Sequence, residues 1–213
     1  MNPEQLQLLS FRNALPHYLS RLANLHTTTM ETLLSELGEG IVRRFYLNAS
    51  KDPKVIGLCA LKNGNLVGWA MGSADPSGLF KKLAHQPIWF LAQLAKVSIT
   101  RPNAIAHLIG TLFQPGDDEL GPKDCELTYI GVDPKYTRQG IGFSLLVSYC
   151  IEARSRGFQR VLLSVEQANS AAIALYKSFG FTILKDYQEG HFSRYRMCLL
   201  LDKNFLLHNN ETN

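Results

Sequence analysis

Several protein classes are excluded by what this sequence lacks. Its four cysteines, Cys59, Cys125, Cys150 and Cys198, stand singly. With no C-x-x-C pair and no histidine at zinc spacing, neither a metal site nor a disulfide framework is expected, and a reducing compartment fits better. No run approaches the ~18 apolar residues of a membrane-crossing helix. The opening Met1-Asn2-Pro3-Glu4-Gln5 has no basic stretch leading into an apolar one, so a cytoplasmic location is expected. Internal repeats are absent. A P-loop would need G-x-x-x-x-G-K-[ST], which occurs nowhere. Acidic residues are missing from 77–114, a stretch that carries Lys81, Lys82, Lys96 and Arg101 and is the strongest compositional shift in the chain.

What is present suits a globular protein. The chain has 213 residues, 46% apolar and 19% charged, enough hydrophobic material for a core and too little charge for disorder. That length favours one elaborated domain over two. Lysine and arginine exceed aspartate and glutamate by 22 to 18, a net +4. The excess permits an acidic ligand, but without a basic cluster no nucleic-acid partner is expected.

From about residue 13 to 50, Leu15, Leu19, Leu22 and Leu25 recur at helical spacing and Gly38 and Gly40 punctuate, which predicts two or three short helices. Two β-rich runs follow, Val55–Leu61 and Leu66–Met71. Asn63-Gly64 between them suits the positive φ of a tight hairpin turn. From 77 to 114 the pattern turns helical, with Pro87 and Pro102 as breaks. Glu126–Val132 reads as a strand, 133–139 as a loop, Gly140 to about Arg156 as a helix burying Leu145, Leu146, Tyr149, Cys150 and Ala153, and Val161–Val165 as a buried strand, together a right-handed βαβ unit. A short helix, Ser170–Phe179, stops at Gly180, and strands at Phe181–Leu184 and about Phe192–Leu201 precede a polar tail, 203–213, expected to be disordered.

Gly140-Ile141-Gly142 lies where a helix begins, so unpaired N–H groups and the positive end of the helix dipole would attract phosphate oxygens. A dinucleotide fingerprint would place its third glycine where Leu145 stands and would follow the strand directly. Here seven residues intervene. A longer loop around an acyl-CoA diphosphate is the remaining use.

Glu126-Leu-Thr-Tyr-Ile-Gly-Val-Asp-Pro-Lys-Tyr-Thr-Arg-Gln-Gly-Ile-Gly142, then Leu145-Leu146, then Asn169-Ser-Ala-Ala-Ile-Ala-Leu-Tyr-Lys-Ser-Phe-Gly-Phe181 resemble the acetyl-CoA-binding core of the GNAT superfamily of N-acetyltransferases. The resemblance spans roughly residues 126 to 201. It implies a GNAT-type α/β fold with a mixed, mostly antiparallel central sheet flanked by helices, forming a single domain over 1–202 with a helical insertion at about 77–124 before the central strand. One position departs from the family loop [QR]-x-x-G-x-[GA]: Thr137 stands where glutamine or arginine is usual, leaving Arg138 or backbone donors to meet the diphosphate. More loosely, 37–46 and 67–78 resemble a bacterial branch associated with surface-sugar biosynthesis.

The resemblance implies acetyl-CoA as co-substrate, no metal, and direct transfer of acetyl to a primary amine in a ternary complex, with an amino sugar as one candidate acceptor. The alternative is an acyl-CoA-binding sensor or interaction module without catalysis. The implied cofactor-binding residues are Ile130, Gly131 and Val132, contacting the pantetheine through main-chain groups exposed by a bulge near Gly131; Arg138, Gln139, Gly140, Ile141, Gly142 and Phe143 around the diphosphate; and Asn169. The implied catalytic residues are Tyr176, as the acid that protonates the leaving thiolate, and Glu126, as a general base. Each has a plainer reading. Tyr176 could belong to an apolar stripe with Ala172, Leu175 and Phe179, Glu126 could be a solvated strand-end acid, and Asn169 could cap its helix. Cys125 and Cys150 have no neighbouring histidine to activate them as acyl carriers. The acid-free stretch could form a lid over an anionic acceptor or a solvated face, and its Ile88-Trp89-Phe90-Leu91 could touch a membrane surface or a second subunit of a homodimer. His85 and His107 are read as surface or core residues.

Overall fold

The computed structural model describes residues 6–84, 95, 120–189 and 192–202. In chain order the elements are β1 (Gln7–Ser10), α1 (Phe11–Thr29), α2 (Leu33–Glu36), α3 (Glu39–Ala49), β2 (Val55–Lys62), β3 (Asn65–Ser73), α4 (Pro76–Ala84), β4 (Asp124–Val132), α5 (Ile141–Ser155), β5 (Arg160–Glu166), α6 (Ser170–Phe179), β6 (Thr182–Glu189) and β7 (Phe192–Leu200). The strands form one sheet in the order β1-β2-β3-β4-β5-β7-β6. Every neighbouring pair is antiparallel except β4 and β5, so the mixed, mostly antiparallel sheet expected from the sequence is what forms.

Alternation along the central strands builds two cores. On one face Cys59, Leu61, Trp69 and Met71 pack beneath α1 and α3 with Leu22, Leu25, Phe45 and Tyr46. On the other, Ala60, Val67, Ala70, Cys125, Leu127, Val161 and Leu163 pack against Leu145, Tyr149 and Cys150 of α5 and Tyr176 and Phe179 of α6. The β2–β3 turn is the expected one: Asn63 and Gly64 have φ of 53° and 73°, the pair of left-handed residues that a two-residue hairpin requires.

Three expectations need correction. The strand β1 was not anticipated; its four residues show no pattern of their own and are extended because they pair with the edge of β2. The β6 strand runs to Glu189 rather than stopping at Leu184, since β7 gives it a partner along its length, which sequence alternation cannot register. The bulge expected near Gly131 lies at Thr128 instead: Met71 pairs with Tyr129 and Gly72 with Leu127, leaving Thr128 as the extra residue. Packing explains the displacement. Gly72 lies against the Glu126 carbonyl and the Tyr149 hydroxyl, which donates to that carbonyl at 2.9 Å; any side chain at 72 would fill the space. Of the stretch 77–114, read as a lid or a solvated face, only 77–84 and 95 are among the described residues, and there Lys82 pairs with Asp52. Lys96, Arg101, His85, His107, the Ile88–Leu91 run and the 203–213 tail lie outside the described residues.

Beneath α1 a buried polar chain links three elements. Trp69 Nε1–H donates to the Tyr46 hydroxyl at 2.8 Å. That hydroxyl is hydrogen-bonded to His26 Nδ1 at 2.8 Å, and His26 Nε2 is hydrogen-bonded to Thr32 Oγ1 at 3.2 Å. The imidazole is 0% exposed, and burial lowers its pKa from 6.5 to about 4 because a charged ring would lose its hydration. Between those values the unfolded chain binds a proton that the folded chain does not, so stability falls as pH drops from about 6.5 towards 4 and is unaffected by this group above 6.5. The expected loss across the window is about 3 kcal/mol. Urea titrations at pH 7 and pH 4.5 should show it, and His26→Gln should flatten this component of the pH slope.

Candidate active site

The parallel ladder between β4 and β5 is short. It runs from Asp124 opposite Arg160 to Leu127 opposite Leu163 and ends there. Beyond it, among the described residues, Tyr129 to Val132 pair as strand only with β3 and Ser164 to Glu166 only with β7, while the Glu166 carbonyl also accepts from Asn169 N–H at 3.0 Å. The bulge at Thr128 turns β4 out of register, and the two strands part into a cleft with an unpaired backbone edge on each wall. Ile130, Gly131 and Val132 all lie on the β4 wall. Their main-chain groups facing β5 have no strand partner, as an extended ligand lying along that edge would require. Ile130 and Val132 send their side chains into the α5 core, whereas Gly131 lets Trp69 and Met30 approach closely from the opposite face.

At the mouth of the cleft the chain turns into α5. Asp133 fixes the start of this turn: its N–H bonds to Val67 O at 2.8 Å, its carboxylate accepts from Lys135 N–H at 3.0 Å and pairs with Arg21 of α1. A 3-10 turn follows at Pro134–Tyr136. Arg138 and Gly140 then take φ of 62° and 75°. A left-handed non-glycine residue is uncommon. The first helical bond of α5 is Ser144 N–H to Gly140 O, 2.9 Å, so the amides of Ile141, Gly142 and Phe143 precede any helical acceptor.

Space for a ligand exists here. A Cβ at Gly140 would meet nothing within 4 Å, and one at Gly142 would come no closer than 3.6 Å to Leu175. Packing within the protein therefore does not require Gly142 to be glycine. The side chains contribute less than the backbone. Thr137 Oγ1 donates to Pro134 O at 3.1 Å, and Gln139 Oε1 accepts from Lys62 at 2.9 Å. Arg138 is exposed, and Phe143 packs edge-on against Phe179, ring centroids 5.4 Å apart.

Asn169 is the N-cap of α6, its Oδ1 accepting from Ala172 N–H at 3.1 Å. Seven residues on, Tyr176 is 7% exposed. Its ring lies 5.7 Å from that of Phe181, and its hydroxyl has no hydrogen-bond partner among the described residues. Burial raises its pKa, keeping the phenol protonated at neutral pH. Tyr176 thus has both the apolar surroundings of a core residue and an uncommitted O–H.

Glu126 is the third residue of β4 rather than its first, and it is not a freely solvated acid. Its Oε2 lies 2.7 Å from Arg196 Nη2 of β7, and Arg196 Nη1 donates to Ser164 Oγ of β5 at 3.0 Å. Sequence reasoning missed Arg196, Ser164 and the Thr128 bulge. A signal existed for the first of these: Arg194 and Arg196 alternate with Tyr195 and Met197, which places two guanidinium groups on one sheet face. Burial pushes the Cys125 thiol up to about 12 and raises that of Cys150 well above the ordinary thiol range. Neither thiol supplies a thiolate at neutral pH, which leaves transfer through an acyl-cysteine without a nucleophile here. No group of three or more potential metal ligands occurs among the described residues, and no described helix is long and apolar enough to cross a membrane.

A family model for the Acetyltransferase (GNAT) family matches residues 19–181. The chain belongs to this family. Its relatives include the ribosomal protein bS18-alanine N-acetyltransferase of Escherichia coli K12, 45% identical over 67 residues that make up 30% of this chain and 45% of that protein. Another is the mycothiol acetyltransferase of Thermobispora bispora, 44% identical over 57 residues, 27% of this chain and 19% of that protein. Both matches thus span less than half of the relative. In three dimensions a Salmonella typhimurium acetyltransferase solved with acetyl-CoA superposes with a TM-score of 0.62 at 16% identity, covering 94% of this chain and 96% of that one. An N-acetyltransferase from Staphylococcus aureus Mu50 gives 0.62 at 14% identity, covering 93% and 100%. These two likenesses establish the GNAT fold.

Because Gly142 is dispensable for packing, Gly142→Ala should keep or slightly raise the melting temperature while weakening coenzyme A binding by about fivefold or more. Thermal melts and calorimetry on the same preparation separate the two effects.

Proposed function

We propose that the chain is an acetyl-CoA-dependent N-acetyltransferase that moves acetyl directly to a primary amine. The observation that carries this reading is the cleft itself: an unpaired β4 edge leads from the turn at Arg138–Gly142 to the point where β4 and β5 separate. The amides at the start of α5 would bind the diphosphate, with the helix dipole adding to their attraction. The β4 edge at Ile130–Val132 would align the pantetheine as an added strand, and a main-chain N–H there would polarise the thioester carbonyl.

In the reaction the neutral acceptor nitrogen attacks the thioester carbonyl, the carbon–sulfur bond breaks, and the Tyr176 hydroxyl gives its proton to the departing sulfur. The proton shed by the new amide nitrogen returns through water to the Tyr176 phenolate. That return restores the phenol for the next turnover. Glu126, the other candidate, is tied to Arg196, which favours a positioning role over proton abstraction.

The reading in which the fold binds acyl-CoA without reacting predicts uptake of coenzyme A but no thiol release from acetyl-CoA with amines. Tyr176→Phe decides the acid role. Turnover should fall by about 10²-fold while the acetyl-CoA dissociation constant stays within twofold; unchanged turnover at saturating substrates would remove Tyr176 from the chemistry.

A further inference from the structure

We propose that Arg196 is a positioning residue: its guanidinium clamps β4 to β5 at the root of the cleft and thereby sets the width at which coenzyme A is received. The inference rests on the cofactor reading above for its consequence, but not for its geometry.

The ladder between β4 and β5 comprises four residue pairs, a small hold for two strands that must stay joined below the cleft and apart within it. Each end carries a side-chain lock of different design. At the closed end Arg160, on β5, meets Asp124, on β4, with Nε 2.7 Å and Nη2 2.5 Å from the two carboxylate oxygens. At the open end the lock comes from a third strand. Arg196 of β7 faces Ser164 in the β5–β7 register and donates Nη1 to the Ser164 hydroxyl at 3.0 Å, the first β5 residue beyond the ladder. Its Nη2 reaches Glu126 on β4 at 2.7 Å, one residue before the ladder ends. One rigid, planar group therefore bridges both walls where backbone pairing stops. Arg196 is 5% exposed, and a buried guanidinium held by a carboxylate and a hydroxyl resists displacement far more than a surface pair does. It also stands on the face opposite the α5 core, since Glu126 and Ser164 alternate with Cys125, Leu127, Leu163 and Val165. The clamp can therefore hold the two strands without occupying the α5 side of the cleft.

Two locks on one short ladder provide an internal control. Opening the closed end should cost stability alone, whereas opening the root should also alter the cleft. With Arg160→Met, the melting temperature should fall while the coenzyme A dissociation constant stays within twofold. With Arg196→Met, both should change, with binding weakened about tenfold or more at a temperature where circular dichroism shows native protein. Ser164→Ala removes one strut with little risk to folding and should weaken binding about threefold with the melting temperature nearly unchanged; it decides the matter if Arg196→Met does not fold. Wild-type affinity in Ser164→Ala together with Arg196→Met, or an equal loss in Arg160→Met, overturns the clamp. If the wild-type chain takes up no coenzyme A, the cofactor reading falls, and hydrogen exchange on the ligand-free protein judges the clamp alone. Ser164→Ala must then speed exchange of the β4 and β5 ladder amides more than those of the β2–β3 hairpin, and equal exchange refutes it.

Discussion

The architecture depends on a ladder that stops. Parallel pairing between β4 and β5 ends at Leu127 and Leu163, and the proposed cofactor surface begins beyond that point. A buried sheet normally leaves no backbone donors or acceptors unpaired, so a central strand with an unpaired edge is a costly arrangement. It persists because the surroundings prevent closure. The Thr128 bulge turns β4 aside, Gly72 leaves room for Tyr149 to hold the Glu126 carbonyl, and Trp69 fills the space beside Gly131.

Around that opening the protein divides its labour between backbone and side chain. Backbone groups form most of the proposed cofactor surface, from the β4 edge to the amides that begin α5. Side chains provide the scaffold: Asp133 and Arg21 fix the loop, Asn169 caps the helix that carries Tyr176, and Arg196 bridges the two walls. This division explains why Thr137, at a position where the family usually has glutamine or arginine, does not disrupt the turn. Its hydroxyl satisfies a carbonyl of the loop, and amides remain for an anion.

Much of the fold was legible locally. Asn63-Gly64 specified the hairpin because few residues accept paired positive φ values. Asn169 and Gly180 bracketed α6, and the apolar spacing of Leu145, Leu146, Tyr149, Cys150 and Ala153 gave the buried face of α5. The extent of β6 and the existence of β1 were not legible, since both are strands by virtue of a partner. At the site, the glycine turn and the Asn169-to-Tyr176 spacing could be read from order along the chain. The state of Glu126 could not, because its partner lies 70 residues away on β7 and only the register of three strands brings them together.

By itself, then, the sequence determined the locally specified helices, the hairpin and the central strands, the turn at the head of α5 and the chemical types present in the cleft, because propensity, capping and periodicity act within a few residues. Tertiary structure alone decided where pairing between β4 and β5 would cease, which face each polar side chain would take, and that the phenol of Tyr176 would be buried yet unpaired. These follow from register and packing between segments distant in the chain, where a one-residue shift exchanges the two faces of a strand.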